Sequence, residues 1–315
     1  MIKKANELYT EGKKVRILIA GYPGIGKTTI GLSAPKPLLI DADCGVDRVD
    51  PTYSEGHDVI QPNTYEELLA DLTAENLAPY ESVVIDTLGK LQDLMKAWAI
   101  KKDPKYGQRD GSLSLKGYGF INREMSRLLD MLFYEMNKNL VVLFHAVEDK
   151  DGDNTRLRLK CEGATKNNIW ESMDLGGFVE MYGNTRTLGL SNCERYFAKG
   201  TRGVNGIITI PTLSGDEPND FLTKLFAAYN DRLASEMGEA EVVRSQYEKV
   251  MATGNAILAK VVDAQTATDA FTKLSSLETV LTSRRELGAA FKAKTKELGL
   301  VREGKVYKKK EDAAK

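Results

Sequence analysis

The run Gly21-Tyr22-Pro23-Gly24-Ile25-Gly26-Lys27-Thr28 constrains this chain more than any other stretch, because it fills every fixed position of the pattern G-x-x-x-x-G-K-[ST]. Its setting matters as much as its letters. Val15 to Ala20 (V-R-I-L-I-A) has the length and β-branched content of a buried strand, and Thr28 to Ser33 carries a helical pattern. A strand that turns through glycines into a helix aims its backbone N–H groups inward, where phosphate oxygens can accept from them. Gly21, Tyr22, Pro23, Gly24, Ile25, Gly26, Lys27, Thr28 and Thr29 are therefore expected to cradle a nucleotide. Lys27 would bridge the β and γ phosphates, and the Thr28 hydroxyl would sit on Mg2+, a hard cation that prefers oxygen ligands. The expected cofactors are thus ATP and Mg2+. A chance glycine turn is the competing account, and the strand and helix on either side weigh against it.

Apolar runs like the first recur at Pro37 to Asp41, Ser82 to Asp86 and Leu140 to His145, with helical patterns at Tyr65 to Leu72, Leu88 to Ile100 and Asn122 to Asn137. Thr64 and Glu67 supply a capping box for the first of these helices. Near-continuous apolar strands alternating with helices predict an α/β fold with a mainly parallel, doubly wound sheet, whose ligands bind at the carboxyl ends of the strands. Asp86 closes such a strand, the form expected of a Walker B acid that holds the magnesium shell; capping the next helix is its other reading. Hydrolysis also needs a group to orient and deprotonate water. Asp41 and Asp43, in L-L-I-D-A-D-C-G-V-D, compete for that role, and strand alternation would put both on one side of the backbone. Either also reads as a turn-forming Asx residue.

The order of these motifs resembles the RecA-like P-loop NTPase core. RecA-type recombinases carry a strand of the form F-I-D-A-E-H-A-L-D whose Glu activates the attacking water, and the resemblance puts Asp43 at that Glu position, one methylene shorter. His145 falls where the family has a polar sensor of the γ phosphate, although a lone strand-end His is commonly structural. Ala198-Lys199-Gly200-Thr201-Arg202-Gly203-Val204-Asn205-Gly206 is similar to the A-K-N-R-x-G-x-x-G segment of RecA-like and DnaB-like proteins, with Lys199 in place and Arg202 one residue late. The resemblance implies that these two cations reach a neighbouring subunit's γ phosphate, and hence a homo-oligomer; a solvated basic hairpin is the plainer reading. The G-Y-P-G-I-G-K-T-T loop and the G-Y-G-F-I-N-R-E-M segment look most like phage-encoded AAA-type ATP-binding proteins, some of which are single-strand annealing recombinases. The likeness covers roughly Lys14 to Asn230.

Two basic stretches make single-stranded DNA the expected partner. Lys101, Lys102, Lys105, Arg109 and Lys116 lie among Tyr106, Tyr118, Phe120 and the glycines 107, 111, 117 and 119, which reads as a mobile loop with stacking rings. Arg156, Arg158, Lys160 and Lys166 follow His145 where RecA-like proteins place a DNA-binding loop. With 28% of residues charged, solvated faces are the alternative for both. A motor or loader ATPase working with a replication or recombination protein is the second function considered, and a small-molecule kinase the third.

After about Asp174, turn-separated strands suggest antiparallel additions to the sheet, and Asp220 to Arg232 looks helical. The expected division is a core over residues 1–230, a small helical C-terminal appendage over 231–300 and a basic tail over 301–315. The polar amino terminus and the lack of any bilayer-length apolar run predict no membrane span and no export signal. Cys44, Cys161 and Cys193 are odd in number and have no metal-binding spacing, so reduced thiols and a cytoplasmic setting, the host's if phage-encoded, are expected.

Overall fold

The structure, a computed structural model, describes residues 12–151, 154–215 and 217–310. It divides after Leu233 into two compact units, three residues beyond the boundary expected from the sequence. The first unit is built on β1 (Arg16–Gly21), α1 (Lys27–Leu32), β2 (Pro37–Asp41), α2 (Pro51–Ser54), β3 (Asp58–Ile60), α3 (Tyr65–Asp71), α4 (Ala74–Leu77), β4 (Ser82–Asp86) and α5 (Leu88–Lys102). It continues through α6 (Leu115–Asp130), β5 (Asn139–Asp151), β6 (Asn154–Leu159), α7 (Thr165–Ser172), β7 (Leu175–Tyr182), β8 (Thr185–Gly189) and β9 (Ile207–Thr209). The helix α8 (Phe221–Ala259) begins in this unit and ends in the second.

The sheet order is β3-β2-β4-β5-β1-β7-β8-β9, parallel from β3 through β7 and antiparallel thereafter. The mainly parallel α/β architecture is therefore as the apolar runs require. Two details differ: β6 already pairs antiparallel with β5, and β7 pairs parallel to β1, so past Asp174 the antiparallel additions begin only with β8. Alternation along each strand splits its side chains between two cores. Leu18, Leu38, Ile40, Val83, Ile85, Val142 and Phe144 face one apolar cluster with Leu91 and Met95 of α5 and Ile121 and Met125 of α6. Ile17, Ile19, Leu39, Val84, Val141 and Leu143 face the other with Ile30 of α1 and Leu222, Phe226 and Tyr229 of α8. Each such side chain, fully removed from water, contributes roughly 1.5–3 kcal/mol before conformational entropy is counted.

The loop expected around residues 101–120 is largely helical. Helix α6 begins at Leu115, not Asn122, because the Ser114 hydroxyl accepts from the Gly117 N–H at 3.1 Å and caps it. Beyond Asp130 the chain widens into a π turn, Met131–Glu135. Thr64 caps α3 as its sequence predicts, but the Glu67 carboxylate reaches back to the N–H of Asn63 instead of the cap residue.

In the second unit, α9 (Ala264–Ser275) opens with a capping box between Asp263 and Thr266, and α10 (Ser283–Glu297) follows. The basic tail is a correction. Residues 300–309 form an antiparallel hairpin, β10 (Leu300–Glu303) and β11 (Val306–Lys309), turning at Gly304 with φ 62°. Leu300 and Tyr307 join Val261, Ala270, Phe271 and Phe291 in a small core, and the Arg302 guanidinium lies 4.2 Å from the Phe271 ring centre. The appendage is thus helical with a strand pair; residues 311–315 of the expected tail, like residues 1–11, lie outside the described residues. Among the described residues no helix is long and apolar enough to cross a membrane.

Candidate nucleotide site

The strand order decides what meets the glycine loop. Because β5 lies between β1 and β4, Gly21 pairs in register with His145, while Asp41 pairs with Asp86 one strand further along. Four carboxyl ends therefore bring the loop, the sensor candidate and both strand-end acids to one edge. The loop itself turns at Gly24 and Gly26, with φ 78° and 90°, where a side-chain-bearing residue would cost about 1–2 kcal/mol. Gly26 is the N-cap of α1, and no side chain bonds the first-turn N–H groups, which leaves the donors that a phosphate would occupy. The Tyr22 hydroxyl donates to Glu148 at 2.5 Å and pins the loop's outer side.

Lys27 is 5% exposed, and its ammonium donates to the Tyr22 carbonyl at 2.9 Å. It also lies 3.4 Å from His145 Nδ1, and His145 Nε2 lies 3.2 Å from Asp43 Oδ2. An ammonium can only donate, so Nδ1 accepts and Nε2–H donates to Asp43, which fixes the tautomer. Beside this chain the Thr28 hydroxyl donates to Asp86 at 2.6 Å. Burial holds the Lys27 ammonium below its usual pKa, opposed by Asp86 and Asp43. Burial likewise pushes the Asp86 carboxyl up, against the Thr28 bond and Lys27, with Asp41 and Asp43 adding to the rise. A divalent cation beside Asp86 would reverse that rise, so the cluster suits a metal that arrives with its own phosphate ligands. Among the described residues no group of three or more His, Cys, Asp or Glu side chains is placed to hold a metal ion.

The two competing acids separate here. Strand β2 stops at Asp41, and its carboxylate accepts from the N–H groups of Gly45 and Val46 at 3.0 Å each and from Gln61 Nε2 at 2.8 Å. That makes Asp41 the turn-forming residue. Asp43 faces His145 and the Lys27 ammonium instead. Gln61 was invisible as a partner because nothing near it in sequence marks the contact.

Lys199 and Arg202 are not brought to this cluster. The Lys199 ammonium donates to the carbonyls of Trp170 and Glu171 at 3.2 and 3.4 Å, satisfying the end of α7, and Arg202 occupies a tight turn between Thr201 and Val204 with φ 52°. Of the basic stretches, the first differs from the mobile loop with free rings that was expected. Tyr106 stacks on Phe120 at 4.5 Å and Phe120 on Trp98 at 5.4 Å, so these rings are spent on one another, with Lys102 over Trp98 at 4.6 Å. Sequence reasoning missed Arg186 of β8, whose guanidinium lies directly against Gly26, so that any side chain there would collide with it. The strand T-R-T-L-G offers no local signal for that approach.

A glycine cradle preceded by a parallel strand, with a buried lysine and a strand-end acid bonded to the following threonine, defines a P-loop nucleotide-binding protein. The family model of the AAA domain matches residues 13–202, and the chain belongs to that family of nucleotide-binding P-loop ATPases. No curated protein matches the chain.

Proposed function

We propose that the protein hydrolyses Mg-ATP and couples hydrolysis to single-stranded DNA. The observation that carries the reading is the Lys27–His145–Asp43 chain beside the Thr28–Asp86 pair. Thr28 and Asp86 are close enough to share one metal's coordination shell, in which Mg2+ would neutralise phosphate charge. Asp43 is the carboxylate available to orient and deprotonate water, and His145 bonds both it and the lysine that touches the terminal phosphate. A change at that phosphate would be felt by His145, whose own strand runs on into the β5–β6 hairpin.

The DNA half of the reading rests on what flanks that hairpin. A groove of about 710 Å3 is lined by Arg158, Lys166, Trp170, Phe197 and Lys199, together with Asp149 and Glu171. Phe197 is 49% exposed and meets Trp170 edge-on at 5.0 Å. Cations beside accessible rings suit a single strand, whose phosphates need charge and whose bases stack without sequence preference.

ATPase assays with and without single-stranded DNA at low salt test the proposal. The strand should raise turnover and bind with an affinity that falls steeply as salt rises. Hydrolysis indifferent to DNA, with no binding at low salt, would remove the DNA half and favour a protein partner. Failure of folded protein to take up Mg-ATP would remove both.

A further inference from the structure

The phosphate cradle has two unlike ends. Lys27, His145, Asp43 and Asp86 gather at one, which assigns the terminal phosphate to that side. The other end leads past Thr29, where the surface of α1 opens into a separate cavity of about 240 Å3. Thr29 and Ile30 form its near wall, Arg186 its side, and the segment carrying Pro211, Pro218 and Asn219 its far wall. Asn219 Nδ2 donates to the Thr29 carbonyl at 2.7 Å and ties the far wall to the loop. Arg186 belongs to both spaces, since its guanidinium lies against Gly26 and also lines the cavity.

We propose that this cavity receives the nucleoside of the bound nucleotide and that Arg186 is a nucleotide-binding residue acting within its own chain. The proposal deepens the P-loop reading and rests on it. Prolines and Ile30 offer flat apolar walls to a planar heterocycle. A guanidinium can stack on such a ring with one face while its edge donates to phosphate oxygen, which neither a lysine nor a neutral side chain does equally well. The space is smaller than the roughly 300 Å3 at which pockets for whole ligands begin, so it limits the occupant to one part of a nucleotide, such as its base, and excludes a larger cofactor. The lining also carries Lys224, Glu217 and Asp220, so its charges balance, and Arg186 is the cation that reaches the glycine loop.

The test is calorimetric titration of the full chain with Mg-ATP and, separately, with Mg-tripolyphosphate, which lacks the nucleoside. Wild type should bind ATP about ten-fold tighter or more. Thr212→Trp fills the cavity from an exposed position. It should weaken ATP by about ten-fold while leaving tripolyphosphate within about two-fold. Arg186→Ala should weaken ATP by at least about ten-fold. Equal affinity of wild type for the two ligands would overturn the nucleoside site while the P-loop reading stands. ATP affinity unchanged in a folded Thr212→Trp protein would overturn it too, as would loss of both ligands there. Should that variant not fold, Arg186→Ala decides, because unchanged ATP binding overturns the proposal. If folded wild type takes up neither ligand, the P-loop reading fails first.

Discussion

At the level of single residues, the site is a short chain of donors and acceptors whose members do different jobs. Removing the ammonium in Lys27→Ala should lower ATPase turnover by about 100-fold or more, measured by phosphate release, because the phosphate charge loses its buried partner. Asp43→Asn should keep Mg-ATP affinity within a few-fold and slow turnover by about 100- to 10,000-fold. Near-normal turnover in that variant would shift the base elsewhere, and Asp41 is an unsuitable heir because its carboxylate is already held by Gly45, Val46 and Gln61. Asp86 carries a pH prediction. Burial raises its pKa, so protons compete with a metal at higher pH than they would at an exposed aspartate. Metal-nucleotide affinity should therefore be full above that raised pKa and be lost as pH falls through it. Asp86→Asn should bind Mg-nucleotide weakly and lack this component of the pH profile; an unchanged profile would remove Asp86 from the metal's shell.

Among the elements, two helical glycines that look alike in sequence should respond oppositely to alanine. In α6 a methyl at Gly117 would press on the Tyr106 carbonyl and lie 2.8 Å from Leu113 Cδ2. Gly117→Ala should cost about 1–3 kcal/mol in a denaturant melt despite alanine's better helix propensity. In α8, Gly238 has nothing within 4 Å of the same position, so Gly238→Ala should stabilise by about 0.5–1 kcal/mol. Equal responses would mean that helix propensity, not packing, governs α6. The pair also explains a misreading: glycines 117 and 119 suggest a mobile loop, whereas both lie in α6, Gly117 lets that helix approach the turn at Tyr106, and the aromatic residues around them stack on each other. The β10–β11 hairpin escaped for a related reason, since its lysines and arginine read as a solvated tail until Leu300 and Tyr307 are seen against Phe291.

For the whole molecule, the open matter is whether sites combine between copies. Lys199 donates to carbonyls at the end of α7 in its own chain, so action on a neighbour would require it to exchange those bonds. If it does, Lys199→Ala mixed with Lys27→Ala should recover part of the ATPase that each lacks alone, and the absence of recovery would leave Lys199 as a helix-capping residue. The sequence by itself determined the glycine loop, the alternation of apolar strands with helices and the acids at strand ends, because each is written in consecutive residues whose spacing fixes backbone geometry. Tertiary structure alone decided which acid faces the lysine, which basic residues stay accessible and that Arg186 approaches Gly26. Those outcomes depend on strand order and on side chains far apart in the chain, and contact energies between such residues leave no local periodicity to read.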